Sequence, residues 1–191
     1  MNAGKSTTLL QASYNYNERG MQTLLFSPVF DDRFSKEVGI YSRIGINQSA
    51  IPFNSDFNFY SYTKEKLDEM ENLKCILIDE AHFLKKHQIE DLCQITTRLN
   101  LAVLCYGLRS DFLAEPFEGS KYLLCWADEL SEIKTMCTCG KKASMNMRIN
   151  EKGEAIVKGA QIQIGGNESY ISKCLSCFYN ETNLGSSLET V

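Results

Sequence analysis

Three places in this chain combine residue types and spacing that could do chemistry: Gly4-Lys5-Ser6-Thr7, the acidic pair Asp79-Glu80, and two close cysteine pairs. Gly4-Lys5-Ser6-Thr7 is the second half of a phosphate-binding loop, Gly-x-x-x-x-Gly-Lys-Ser/Thr. Glycine lets backbone N–H groups approach phosphate closely. The N-terminus of the helix that follows favours negative charge. The lysine reaches the outer phosphates and the serine hydroxyl meets magnesium. The motif's first glycine would precede Met1, so the sequence reads as truncated within the loop, its supporting strand lying upstream.

Asp79 and Glu80 close the apolar run that starts at Cys75. An aspartate in that position holds magnesium through water in nucleotide-dependent phosphotransfer. A neighbouring glutamate can take a proton from an attacking hydroxyl or water. Asp79-Glu80-Ala81-His82 also spells the box of a large helicase class. Helicases need a second motor domain, for which 191 residues leave no room.

Cys137-x-Cys139 and Cys174-x-x-Cys177 lie in a glycine-rich stretch. Two such pairs on hairpin tips build a tetrahedral zinc site with four thiolates, and a saturated site is structural rather than catalytic. Cys75, Cys93, Cys105 and Cys125 sit in apolar runs and read as small core residues.

These groups need a scaffold. A helix is predicted over 8–19, stopping at Gly20, and a strand over 23–29. Residues 36–62 read as loops with short strands, and 63–73 as a helix. Residues 75–79 are apolar throughout, as in a parallel strand covered on both faces. Residues 86–100 form an amphipathic helix, with Ile89, Leu92, Ile95 and Leu99 on one face, and 101–106 another buried strand. Strand, helix, strand in that order predicts an α/β nucleotide-binding domain over 1–134, with a parallel sheet flanked by helices. A zinc-binding β lobe is expected over 135–180 and a polar tail over 181–191.

Composition fits this frame. Hydrophobic residues make up 43% and charged residues 23%, which excludes a disordered or coiled-coil chain. Twenty basic against 24 acidic residues give a net charge of -4, with no overall field favouring a nucleic-acid backbone. No apolar run reaches the roughly 18 residues a membrane helix needs, and the N-terminus carries no signal-peptide pattern. The expectation is a soluble cytoplasmic protein with no membrane and no nucleic acid among its partners.

The stretches at 1–7, Asp31-Asp32-Arg33, 78–83, 106–112, 137–140, 164–170 and 174–177, in this order, resemble the type II (cytosolic) thymidine kinases. The Cys-x-Cys form of the first pair is similar to the bacterial branch. The resemblance implies transfer of the γ-phosphate of ATP to the 5′-hydroxyl of thymidine or deoxyuridine, with Mg2+ accompanying ATP and structural Zn2+ on Cys137, Cys139, Cys174 and Cys177. It implies that Glu80 is the catalytic base. ATP and magnesium would be held by Met1, Asn2, Ala3, Gly4, Lys5, Ser6, Thr7, Asp31, Asp32, Arg33, Asp79 and His82. His82 stands where the family often has glutamine and receives no catalytic role. Phe83, Leu108 and Phe112 would bind the nucleoside, as would Gln161, Ile162, Gln163, Ile164 and Gly165 of a lasso loop, with Tyr170. A homotetramer and inhibition by the end-product triphosphate are implied by the resemblance alone.

The rival reading is a non-kinase nucleotide-binding module whose zinc ribbon recruits nucleic acid. Lys141, Lys142, Arg148, Lys152 and Lys158 give that segment positive charge, which reads equally as a solvated face.

Overall fold

A computed structural model of the chain describes residues 3–29, 38–161 and 169–183. Met1, Asn2, Asp31, Asp32, Arg33, Ile162, Gln163, Ile164 and Gly165 lie outside the described residues. The chain divides into two compact units. The first comprises Gly4–Leu108 and Glu118–Asp128. The second takes Arg109–Phe117 and the chain from Glu129 onward.

The first unit is a three-layer α/β fold. Helix α1 (Lys5–Asn17) leads into strand β1 (Gln22–Pro28). A short hairpin of β2 (Gly39–Tyr41) and β3 (Asn47–Ser49) precedes β4 (Ile51–Phe53). Then come α2 (Phe59–Glu69), β5 (Leu73–Ile78), α3 (Lys86–Leu99), β6 (Ala102–Cys105) and α4 (Glu118–Trp126). The main sheet runs β4-β1-β5-β6, with every neighbouring pair parallel. Register sets Leu25 beside Leu77 and Phe26 beside Ile78.

Alternation along β1 and β5 sends side chains to two cores. On one face Leu25, Cys75 and Leu77 pack with Leu9 and Leu10 of α1. On the other Phe26, Ile76 and Ile78 pack with Phe59 of α2 and with Ile89, Leu92 and Ile95 of α3. Covering on both faces is why residues 75–78 are apolar without alternation, as the sequence predicts.

Helix α2 corrects the expected span of 63–73. It starts at Phe59, where the Asn58 side chain accepts from Ser61 N–H at 2.7 Å, and it ends at Glu69. Leu73 belongs to β5 instead, and is buried there. Phe59 and Thr63, both fully buried, define the inward face. The aromatics preceding Thr63 masked that periodicity, because they serve a ring cluster in which Phe26 and Phe59 lie 5.1 Å apart edge to face. Helix α4 was not anticipated.

The second unit is built of small antiparallel pairs. β7 (Thr135–Met136) pairs with β8 (Lys142–Ala143), and β9 (Met145–Arg148) with β10 (Tyr170–Lys173). A short helix, α5 (Leu175–Thr182), closes the described chain. Among the described residues, no helix is long and apolar enough to cross a membrane.

Candidate active site and metal centre

Gly4 caps α1 with φ 79°, a backbone conformation open to glycine and strained for residues carrying a Cβ. The first turn of α1 carries no acidic residue, so its N-terminal N–H groups face no competing negative charge. Lys5, Ser6 and Thr7 follow on that turn. Ser6 Oγ donates to Asp79 Oδ2 at 3.1 Å, joining the loop to the end of β5. Asp79 is buried and its Oδ1 accepts from Glu80 N–H at 2.9 Å. Thr7 Oγ1 lies 2.6 Å from Ser42 Oγ. The Ser6 hydroxyl and the Asp79 carboxylate are hard oxygen donors of the kind that could hold magnesium beside a nucleotide phosphate.

Glu80 adopts φ 46° and ψ 41°, a left-handed conformation uncommon outside glycine. Strain of this kind is held in place by surrounding structure. Here Asp79 N–H donates to Phe26 O and Ala81 N–H to Tyr106 O, fixing the chain on both sides. The turn carries Glu80 out of the sheet. Its Oε1 comes to 3.6 Å from Lys5 Nζ, while Oε2 is buried with no hydrogen-bond partner among the described residues. Burial pushes the Glu80 carboxyl above the ordinary range; Lys5 pulls the other way and Asp79 reinforces the rise.

His82 lies under this turn, 3% exposed. Its Nδ1 accepts from Leu108 N–H at 3.3 Å, which places the ring proton on Nε2. Burial, aided by the nearby Lys5 charge, lowers its pKa to about 3. With its pKa lowered that far, the ring carries no positive charge at neutral pH where Nδ1 approaches Glu80 Oε2 at 3.4 Å. Phe83 stacks on the imidazole with ring centroids 4.0 Å apart. Two glycines make room for this turn. A Cβ on Gly107 would meet His82 N at 3.0 Å, and one on Gly119 would meet Ala81 O at 2.7 Å. Thus the first unit gathers Lys5, Ser6, Asp79, Glu80, His82, Phe83 and Leu108 around one strand end.

In the second unit the sulfurs of Cys137, Cys139, Cys174 and Cys177 all lie within 4.8 Å of one another. Cys137 and Cys139 come from the β7–β8 turn, Cys174 caps α5, and Cys177 lies on its first turn. Four sulfurs around zinc at its usual bond length stand about 3.8 Å apart, and Cys139 and Cys174 are 3.6 Å apart. Backbone N–H groups of Cys139 and Cys174 pull the Cys137 thiol down to about 6, while neighbouring sulfurs push Cys177 up to about 12. Thiolates this close repel one another, and a bound cation relieves that repulsion. The donor set therefore fits a metal ion such as zinc.

Phe112, Gln161 and Tyr170 also belong to this unit, and one residue absent from the predicted site ties them together. Arg148 is 2% exposed, which removes it from the expected basic face. Its guanidinium lies 3.7 Å from the centroid of Phe112 and donates to Tyr170 Oη from Nε at 3.0 Å and Nη2 at 2.8 Å. Nη1 donates to Ala160 O at 3.1 Å. Gln161 Nε2 donates to Asp111 Oδ2 at 3.0 Å. Asp111 Oδ1 in turn accepts from Leu113 and Glu115 N–H. A lone arginine between Met147 and Ile149 was the available signal, legible only once the strand's inward face is known.

The chain matches the family profile of thymidine kinase over residues 1–178. It is 56% identical over 178 residues to a thymidine kinase of Coxiella burnetii, covering 93% of this chain and 90% of that protein. A thymidine kinase of Haemophilus influenzae is 57% identical over 175 residues, covering 91% and 89%. One from Legionella pneumophila is 56% identical over 174 residues, covering 91% and 83%.

Proposed function

This chain belongs to the thymidine kinase family, and on that premise we propose that it transfers the γ-phosphate of ATP to the 5′-hydroxyl of thymidine or deoxyuridine. The observation that carries the reading is the divided carboxylate of Glu80. One oxygen faces Lys5, and the other is buried with no donor among the described residues. Oε1, on the side where Lys5 lies, is the oxygen placed to accept a proton from a hydroxyl, while Oε2, buried against His82, is closed to one. The raised pKa of Glu80 gives the carboxylate more basicity than an exposed glutamate has.

Lys5 and the N–H groups at the start of α1 bind the outer phosphates, and Lys5 offsets charge in the transferring phosphoryl group. Ser6 and Asp79 hold Mg2+ with ATP, with Gly4, Thr7 and His82 lining that side. Magnesium supplies charge neutralisation on the phosphate oxygens. Met1, Asn2, Ala3, Asp31, Asp32 and Arg33 are assigned to the nucleotide by the same family reading. Phe83, Leu108, Phe112, residues 161–165 and Tyr170 are assigned to the nucleoside.

Cys137, Cys139, Cys174 and Cys177 hold structural Zn2+, which cross-links two turns of a unit with little core of its own. A cytoplasmic homotetramer inhibited by the end-product triphosphate completes the reading.

The test is magnesium-dependent phosphorylation of thymidine by the full chain and by Glu80→Gln. The variant is expected to lose about 10²–10⁴ in kcat with little change in ATP binding. Undiminished turnover in Glu80→Gln would remove Glu80 from the role of base.

A further inference from the structure

We propose that Arg148 is the positioning residue of the nucleoside side of this protein: it joins Phe112, Tyr170 and the chain at 160–161 into one rigid platform. The proposal rests on the thymidine kinase reading for what the platform receives, and on the geometry of Arg148 for how it is held.

A guanidinium that is 2% exposed is costly to bury unless its charge is answered. No carboxylate forms a salt bridge with Arg148 among the described residues. The charge is answered by neutral groups instead. The Phe112 ring lies against the guanidinium at 3.7 Å, and the Tyr170 ring centroid is 5.3 Å away. Tyr170 Oη accepts from both Nε and Nη2, and Nη1 and Nη2 donate to the carbonyls of Ala160 and Gln161. The planar fork thus fixes three separate stretches of chain: the segment at Phe112, strand β10 at Tyr170, and the chain at 160–161. Gln161 is tied a second time, through Asp111.

Arginine is suited to this because its donors form a rigid planar fork that reaches several acceptors at once. A carboxylate partner would have satisfied the charge while leaving these aromatic and carbonyl groups untethered. Phe112 is 1% exposed, with one face covered by the cation. That fixes the ring's plane.

The experiment compares wild type, Arg148→Met, Arg148→Lys, Tyr170→Phe and Tyr170→Phe in the Arg148→Met background, all metal-loaded. Two readouts are taken: steady-state kinetics with both substrates, and the rate of trypsin cleavage after Lys158, which is exposed next to the tethered carbonyls. Arg148→Met is expected to raise the thymidine KM about tenfold to a hundredfold, the loss of charge-assisted hydrogen bonds, with the ATP KM unchanged. A merely structural role would lower the active fraction and leave both KM values alone. Arg148→Lys keeps the charge but not the fork, and is expected to behave as Arg148→Met.

Tyr170→Phe removes only the hydroxyl and should reproduce part of the effect, and should add nothing once Arg148 is gone. An unchanged thymidine KM in Arg148→Met, or additive effects in the double variant, would overturn the proposal. If Arg148→Met does not fold, Tyr170→Phe alone decides: an unchanged thymidine KM overturns it. If wild type phosphorylates no nucleoside, the kinase reading fails separately. The platform is then judged by trypsin, with faster cleavage after Lys158 in Arg148→Met supporting it and an unchanged rate overturning it.

Discussion

The two units of this protein bury charge by opposite means. In the first, Lys5, Asp79 and Glu80 share one strand end with the neutral His82 ring, and the carboxylates are only partly matched. Glu80 is pushed up and His82 down, and one carboxylate oxygen has no hydrogen-bond donor among the described residues. In the second, Arg148 is enclosed by carbonyls, a phenol and an aromatic face. The first arrangement leaves a carboxylate of raised pKa beside a lysine; the second ties a guanidinium to several fixed acceptors. Their foundations differ as well. The first unit stands on two hydrophobic cores flanking a parallel sheet, while the second adds to its small strands a cluster of four sulfurs.

The largest expected effect tests that difference in foundation. Cys174→Ser, or a strong chelator, should release the metal and cost the second unit its ordered structure, since structural zinc contributes on the order of 10 kcal/mol to such folds. Hydrogen exchange followed by mass spectrometry should show protection lost in β7–β10 and kept in β1, β5 and β6. Retained protection in β9 and β10 after metal removal would mean that the Arg148 assembly, not the sulfur cluster, is what holds this unit.

A smaller effect probes how tightly the first unit's turn is packed. A Cβ on Gly119 would sit 2.7 to 2.9 Å from the carbonyls of Ala81, His82 and Leu84. These are backbone atoms of the turn that follows Glu80, and they have little room to retreat. Gly119→Ala is expected to cost about 1–3 kcal/mol, as overpacking does, measured by urea denaturation. Because the same turn aims Glu80, thymidine turnover should fall with it. A variant of wild-type stability would show that the turn is looser than its contacts imply, and would weaken the contrast between the left-handed turn at Glu80 and the Arg148 assembly.

Much of the first unit was legible in the sequence for a physical reason: its chemistry is contiguous. Gly4-Lys5-Ser6 needs only the helix it begins, and Asp79-Glu80 only the strand it ends, so local pattern sufficed. The four cysteines were legible because thiolate pairs announce themselves by spacing, and their sulfurs do converge. Three features were not legible. The left-handed turn at Glu80 is imposed by bonds from Phe26 and Tyr106, far off in sequence. The start of α2 at Phe59 is set by a ring cluster whose members span β1, β4 and α2. Arg148 looks like any surface cation until β9 and β10 pair and turn it against Phe112.

The smallest expected effect concerns His82, and it separates a neutral buried imidazole from an ion pair with Glu80. In the folded chain the His82 pKa is held at about 3, against 6.5 for an unperturbed histidine. Between those values the unfolded chain binds a proton that the folded chain refuses. The stabilising contribution of the neutral ring is therefore full above pH 6.5 and declines as pH falls, by at most about 1.4 kcal/mol per pH unit. Glu80 acts in the opposite sense, since its raised pKa lets the folded state keep a proton that the unfolded state has released. The wild-type curve alone would mix the two. His82→Asn leaves Glu80 in place and offers Leu108 N–H an amide oxygen, so the difference between wild type and variant isolates the imidazole. Urea denaturation at pH 7.5, 6.5 and 5.5 should show wild type losing stability relative to His82→Asn as the pH falls. A difference that instead grows in favour of wild type on acidification would mean that His82 is charged and paired with Glu80. The base proposed at Glu80 would then be the pair rather than the glutamate alone.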